Sequence, residues 1–191
     1  MTLSACETGI NERRPGDELI GLARSLIYAG APSVVVSLWT VDDLSTRLLM
    51  ERFYECLYQS LPEGDARFTK AEALQRAQQH VKSLTAQEIF EWCDSQLASA
   101  EPDEFDTFSL DRAEARALAG DIEPALAACH AVRHRLSDAT DERTRSLLQR
   151  TERMVDSWQT KAESTPRIDY EVRPFNHLFY WAPFVLIGDW K

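Results

Sequence analysis

A chain of 191 residues, of which 44% are hydrophobic and 9% aromatic, is long and apolar enough to bury a domain core, which excludes a disordered chain. The formal net charge of -10 argues against nucleic-acid binding, because contact with phosphates requires clustered Lys and Arg. Residues 84–166 carry 9 basic and 17 acidic side chains, so most of the excess negative charge lies there. No apolar run reaches the roughly 18 residues of a membrane helix, and no signal segment opens the chain. We therefore expect a cytoplasmic protein that contacts neither nucleic acid nor membrane.

The cysteines are scattered along the chain rather than paired at close spacing. They are Cys6, Cys56, Cys93 and Cys129. This distribution fits neither a zinc knuckle nor a disulfide scaffold, so reduced thiols are expected. His130 and His134 stand one helical turn apart, but Ala131 occupies the position of the glutamate in a His-Glu-x-x-His metal motif. The sequence therefore predicts no metal and no other cofactor.

The first elements follow the order strand, helix, strand. Thr2-Leu3-Ser4-Ala5-Cys6 is a short apolar stretch that runs into a loop and indicates the end of a buried strand. Pro15-Gly16-Asp17 opens a helix with leucines at helical spacing, and Gly30 followed by Pro32 ends it. Residues 34–39 are almost continuously apolar and β-branched, which is typical of a strand covered on both faces in a parallel sheet.

Helical patterns dominate the next part of the chain. Asp42 or Asp43 is expected to cap a second long helix, and Thr69-Lys70-Ala71-Glu72 is a capping box that opens a third. From a second capping box at residues 85–88 onward, no strand pattern appears before residue 166. The break at Gly120-Asp121 predicts a helical hairpin that resembles one tetratricopeptide-type unit, although two ordinary packed helices explain it as well.

The α/β pattern returns at the end of the chain. Residues 179–188 are predicted to form a further apolar strand, in which Pro183 indicates an edge position or a bulge. Three segments follow from these patterns: a core portion at 1–83, an acidic helical insertion at 84–166, and a return to the core at 167–191.

Several short blocks resemble the CHAT family of caspase-like, separase-related cysteine peptidases, which are often fused to tetratricopeptide repeats. Leu3-Ser4-Ala5-Cys6-Glu7-Thr8-Gly9 is the most characteristic of these blocks. The others occur in the family's usual order at residues 16–19, 22–23, 29–31, 33–35, 37–39, 41–43, 53–54, 73–77 and 180–189. The resemblance covers residues 1 to about 83 and 175 to 191.

The resemblance implies the carboxyl-terminal portion of a caspase-like, three-layer α/β sandwich. Its sheet would be mostly parallel and flanked by helices, with residues 84–166 as an all-helical insertion. Cys6 falls on the family's nucleophile, so its thiolate would attack a peptide carbonyl while its backbone N–H helps to hold the oxyanion. Taken alone, Cys6 would be better explained as a small buried hydrophobic residue that closes a strand, and it is the resemblance that favours a nucleophile.

The catalytic histidine is the missing part. In caspases it lies roughly 50 residues before the cysteine, whereas only five residues precede Cys6 here. Neither His80, His130 nor His134 matches the family's His-Gly position, and His177 is the least implausible substitute. We therefore expect the histidine upstream of Met1 and a 191-residue chain that is inert toward peptides. The alternatives are a non-catalytic interaction module and a truncated open reading frame.

The substrate-binding residues are expected near the ends of the first two strands. Asp42 and Asp43 would form an acidic wall that favours Arg or Lys before the scissile bond, although a helix cap explains these acids as well. Trp39 would line the same groove or fill the core, and Asp17 would serve the groove or only the start of its helix. The family's architecture further implies a bacterial endopeptidase that acts on a protein or peptide substrate and is controlled by a sensor or tetratricopeptide-repeat partner.

Overall fold

A computed structural model describes residues 2–3, 17–58, 68–137, 141–162 and 167–191, without the side chains of 2–3 and 17–22. The elements in chain order are β1 (Thr2–Leu3), α1 (Asp17–Tyr28), β2 (Ser33–Ser37), α2 (Asp43–Tyr58), α3 (Lys70–Ser83), α4 (Ala86–Ser99), α5 (Phe105–Leu118), α6 (Ile122–Leu136), α7 (Glu142–Ala162), a 3₁₀ turn (Pro174–Asn176), α8 (Leu178–Trp181) and β3 (Phe184–Gly188). They group into two compact units, residues 1–83 with 175–191, and residues 84–174. The division into a core portion, an acidic insertion at 84–166 and a return to the core stays a prediction.

The sheet of the first unit has the strand order β1-β2-β3. β1 pairs in parallel with β2 over only two positions, Thr2 with Val35 and Leu3 with Val36. β3 runs antiparallel to β2 along its full length, from Ser33 opposite Gly188 to Ser37 opposite Phe184. The predicted mostly parallel three-layer sandwich is therefore wrong for the described residues, which are mainly helical and whose longest strand pairing is antiparallel.

The direction of β3 follows from the position where the chain re-enters the sheet. The backbone N–H of Leu38, just past the end of β2, donates to the Pro183 carbonyl at 2.9 Å. β3 therefore starts at the edge where β2 ends and must run back along it. A parallel pairing would have required a crossover to the opposite edge.

The predicted strand at residues 179–188 is also only partly correct. Residues 178–181 form the short helix α8, and the strand begins at Phe184, directly after Pro183. Pro183 has no backbone N–H to donate to a strand ladder, so the regular pairing starts beyond it.

β2 is buried and packs against α1. All five residues of β2 are buried, as predicted for a strand that is covered on both faces. Val34 and Val36 pack with Ala23 and Leu26 of α1. On β3, the Phe184 carbonyl accepts a hydrogen bond from Gln78 Nε2 of α3 at 3.0 Å.

The second unit contains four long helices in its described part. α4 opens with the predicted capping box, in which Thr85 Oγ1 accepts from the Glu88 backbone N–H at 3.2 Å and the Glu88 carboxylate accepts from the Thr85 N–H at 2.8 Å. α5 and α6 form the predicted hairpin around Gly120, which has a φ of 86°. Val155 and Trp158 of α7 join the core of the hairpin, so a third helix buries the face that two helices would leave open. Among the described residues, no helix has the length and apolarity that crossing a membrane requires.

Two glycines with the same backbone requirement allow a test of how β3 is anchored. Gly30 has a φ of 98° and open space around its α-carbon, whereas a Cβ on Gly188, at a φ of 103°, would lie 2.5 Å from the Pro32 carbonyl oxygen. We expect Gly30→Ala to cost about 1–2 kcal/mol of unfolding free energy and Gly188→Ala about 2–5 kcal/mol, because only the second adds a clash with rigid backbone. Urea unfolding of the two variants checks this order, and equal losses would contradict it.

Candidate functional site

The candidate site lies at the sheet edge where β1 and β2 both end. Because β1 is parallel to β2 and Leu3 pairs with Val36, the chain leaves both strands at the same edge. Cys6 follows Leu3 by three positions, as Trp39 follows Val36. Cys6 itself lies outside the described residues, so its contacts are not part of the geometry below.

Asp17 is the first residue of α1, and its side chain is also outside the described part. α1 ends at Tyr28 and the chain turns at Gly30 into the start of β2. Its 12 residues span about 18 Å at 1.5 Å per residue, which is about the length of β2. Since α1 packs along β2, its first turn, with Asp17, lies toward the edge where β2 ends.

The segment after β2 mixes buried and exposed side chains. Ser37 is only 1% exposed, and within the described residues its Oγ has no hydrogen-bond partner. Leu38 is 53% exposed, although its sequence pattern predicted a covered strand. Trp39 is half-buried, and its Nε1 donates to the Phe179 carbonyl of α8 at 3.0 Å. This hydrogen bond connects α8 to the segment that follows β2.

Asp42 and Asp43 occupy different positions at the start of α2. Asp42 is the cap: its Oδ2 accepts from the Ser45 N–H at 2.8 Å, and its carbonyl accepts from the Thr46 N–H at 3.0 Å. Asp43 is exposed and is the first residue of the helix. A cap uses only part of a carboxylate's hydrogen-bonding capacity, so two negative charges lie within five residues of Trp39.

The four histidines of the chain lie on or beside three different helices. His177 caps α8, and its Nδ1 accepts from the Phe179 N–H at 3.2 Å, which fixes the proton on Nε2 in the neutral ring. His80 is exposed on α3. His130 and His134 are on α6 in the second unit, and the His130 Nδ1 lies 3.1 Å from Arg133 Nη2. No group of three or more His, Cys, Asp or Glu in the described part of the chain is placed to hold a metal ion.

A protein-family model matches almost the whole chain. The model of the CHAT domain matches residues 1–189. The chain belongs to the CHAT domain family. Its predicted membership is thereby confirmed, and with it a relationship to caspase-like peptidases. No curated protein and no solved structure matches the chain significantly.

Within this CHAT domain, three of the five predicted site residues lie in one described segment. Trp39, Asp42 and Asp43 follow β2 in one short segment, and the catalytic role of Cys6 and the binding roles of all five remain predictions. Sequence reasoning missed α8 and its exposed residues Leu178 and Phe179, which are 55% and 41% exposed. The signal was Pro183, because a proline inside an apolar run places the start of a strand after it.

Proposed function

We propose that this chain forms the nucleophile-bearing part of a cysteine endopeptidase, with Cys6 as the nucleophile. The proposal rests on the parallel pairing of β1 with β2, because the chain then leaves both strands at the same sheet edge. In the sequence, Cys6 follows β1 and the Trp39–Asp43 segment follows β2. Open sheets bind their ligands at the carboxyl ends of parallel strands. The family relationship adds the chemistry of peptide-bond cleavage at such an edge.

The reaction requires a thiolate and a proton carrier. The Cys6 sulfur forms a bond to the peptide carbonyl carbon, the C–N bond breaks, and a proton goes to the leaving amine. Water then attacks the resulting thioester, releases the acid and returns the thiol. A histidine is the usual carrier of both protons.

We assign that histidine to a part of the protein outside these 191 residues. His177 commits its Nδ1 to the start of α8, and His130 and His134 belong to the helical unit. His80 lies on α3 with its side chain exposed, and it does not match the family's His-Gly position. With no base assigned from this chain, the 191-residue polypeptide is expected to be inert toward peptides on its own.

The residue before the scissile bond would be basic. The charges of Asp42 and Asp43 attract Arg or Lys, while the half-buried Trp39 offers an apolar surface for the stem of such a side chain. The cap made by Asp42 holds its carboxylate in a fixed orientation. The same charges would repel a substrate with Asp at that position.

Cleavage of matched peptides by the full gene product tests this function. Peptides with Arg or Lys before the scissile bond should be cleaved at least about tenfold faster, in kcat/KM, than the same peptide with Asp. Asp42→Asn preserves an N-cap side chain and Asp43→Asn preserves shape, so each variant should lower the preference without unfolding α2. Asp156→Asn, at an exposed position of α7, is the charge-matched control.

Two results would contradict parts of this function. A preference for Asp would exclude the acidic wall, and a gene product that cleaves none of the three peptides would favour a non-catalytic interaction module. We further propose a cytoplasmic setting, in which buried thiols such as those of Cys56, Cys93 and Cys129 stay reduced.

A further inference from the structure

A small pocket in the helical unit is lined by three arginines. Arg112 and Arg116 lie one turn apart on α5, and Arg135 faces them from α6. The remaining walls are mainly apolar, with Leu97 of α4 and Phe105 of α5 among them. The cavity volume is about 210 Å³. We call this cavity, defined by the three arginines and the apolar walls, the arginine pocket.

The charges of the arginine pocket do not cancel. Arg112 Nε lies 2.6 Å from Asp94 Oδ1, and Arg135 Nε and Nη2 donate to Asp106 Oδ1 at 2.9 and 2.6 Å. The Nε of Arg116 is buried and has no hydrogen-bond partner among the described residues. Two carboxylates thus face three guanidinium groups, in a unit whose side chains are otherwise predominantly acidic. Arg116 has no ion-pair partner among the described residues, so its guanidinium charge favours an anionic ligand in the pocket.

Aromatic rings hold the guanidinium groups in place. The Cζ atoms of Arg112 and Arg116 lie 4.8 and 5.3 Å from the centre of the Phe90 ring, and that of Arg135 lies 5.5 Å from the Phe105 ring. Guanidinium groups stacked in this way lose little further freedom when they bind a carboxylate. The site is therefore preorganised for a planar anion.

The volume and the lining of the arginine pocket limit the kinds of ligand that fit it. A volume of about 210 Å³ is below the range of about 300–1,000 Å³ that is usual for drug-sized ligands and cofactors, so one residue of a peptide fits better than a nucleotide. An apolar residue at a peptide carboxyl terminus carries its carboxylate and its apolar side chain on the same α-carbon. That combination uses both the guanidinium groups and the apolar walls. An internal Glu or a free phosphate would leave the apolar walls unused.

We propose that the arginine pocket binds the carboxyl-terminal residue of a partner protein, with an apolar side chain and a free terminal carboxylate. The carboxylate accepts from the guanidinium group of Arg116, which has no ion-pair partner among the described residues, and the side chain packs against Leu97 and Phe105. The acidic surface of the unit disfavours acidic residues upstream of that terminus. This site is independent of the chemistry assigned to Cys6.

Peptide binding to the 191-residue chain tests the proposal. The probe is fluorescein-labelled Gly-Ser-Gly-Ser-Leu with a free carboxyl terminus, followed by fluorescence anisotropy. Saturable binding is expected, with about tenfold weaker affinity for the same peptide as its carboxyl-terminal amide, because one charge-assisted hydrogen bond is lost. Competition by an amidated peptide with an internal Glu, or by inorganic phosphate, as strong as by the free acid would overturn the proposal.

Two pairs of variants locate the binding. Arg116→Gln should weaken binding about tenfold, whereas Arg153→Gln, which removes an exposed charge on α7, should change it less than twofold. Ser109 also lines the pocket, so Ser109→Glu places a competing carboxylate there while Ser109→Gln adds the same bulk without charge. Binding that survives Ser109→Glu in a folded chain, or that Arg153→Gln weakens as much as Arg116→Gln, would contradict the assignment.

Discussion

Replacing Cys6 by alanine is expected to reduce peptide cleavage by the full gene product on the order of 10⁴-fold or more, the scale on which enzymes lose turnover without their nucleophile. KM should change little, because the residues proposed to bind the substrate, Asp42, Asp43 and Trp39, are still present. Steady-state kinetics with an Arg-containing peptide measures both effects. A Cys6→Ala variant that keeps its turnover would remove Cys6 from the mechanism.

The burial of the three described cysteines should make Cys6 selectively observable. Cys56, Cys93 and Cys129 are all buried, and burial raises the pKa of the Cys129 thiol to about 11. Because the thiolate is the reactive form, Cys129 reacts slowly near pH 7. Brief treatment with iodoacetamide should therefore label Cys6 before the others if a base activates it. Cys56→Ala removes a buried thiol of the same unit and serves as the control that retains activity.

Local signals in the sequence predicted much of the secondary structure. The capping residue Asp42 and the capping box at Thr85 begin helices as predicted, because a side-chain acceptor satisfies backbone N–H groups that no helical carbonyl can reach. The hairpin break at Gly120 is also correct, since the φ of 86° there favours glycine. These features depend on neighbouring residues alone.

The sheet could not be predicted in the same way. A continuous apolar run such as residues 34–36 predicts that β2 is buried, and it carries no information on the direction of the strand beside it. That direction depends on α8, which starts at a cap by His177 and is attached to β2 by Trp39. Contacts between residues about 140 positions apart are not visible in local periodicity.

Some residues of the candidate site could be located from the sequence, and others could not. Asp42, Asp43 and Trp39 could be located from sequence because they follow a strand directly. The exposed Phe179 and the buried Ser37 hydroxyl could not be, because their positions depend on how the chain returns to the sheet. The arginine pocket could not be predicted from the sequence either. Its arginines lie on two helices, and each of them taken alone is typical of a solvent-exposed helix face.

Replacing Arg150 by methionine is expected to destabilise the helical unit by about 3–5 kcal/mol. Arg150 of α7 donates from Nη2 to Asp111 Oδ1 at 2.7 Å and to Glu114 Oε2 at 2.8 Å, and Asp111 is fully buried. Burial alone would lower the pKa of Arg150, but the charges of Asp111 and Glu114 raise it above its ordinary value. Without Arg150, the Asp111 carboxylate would remain buried without that cation, so its charged form would become costly.

A second substitution separates this explanation from a simple loss of packing. Arg150→Met with Asp111→Leu should return to within about 1 kcal/mol of the parent chain. Arg153→Ala, on the exposed face of α7, should cost less than about 0.5 kcal/mol. Urea unfolding measures all four chains, and a penalty in Arg150→Met that Asp111→Leu does not relieve would show that packing, not charge, is the role of Arg150.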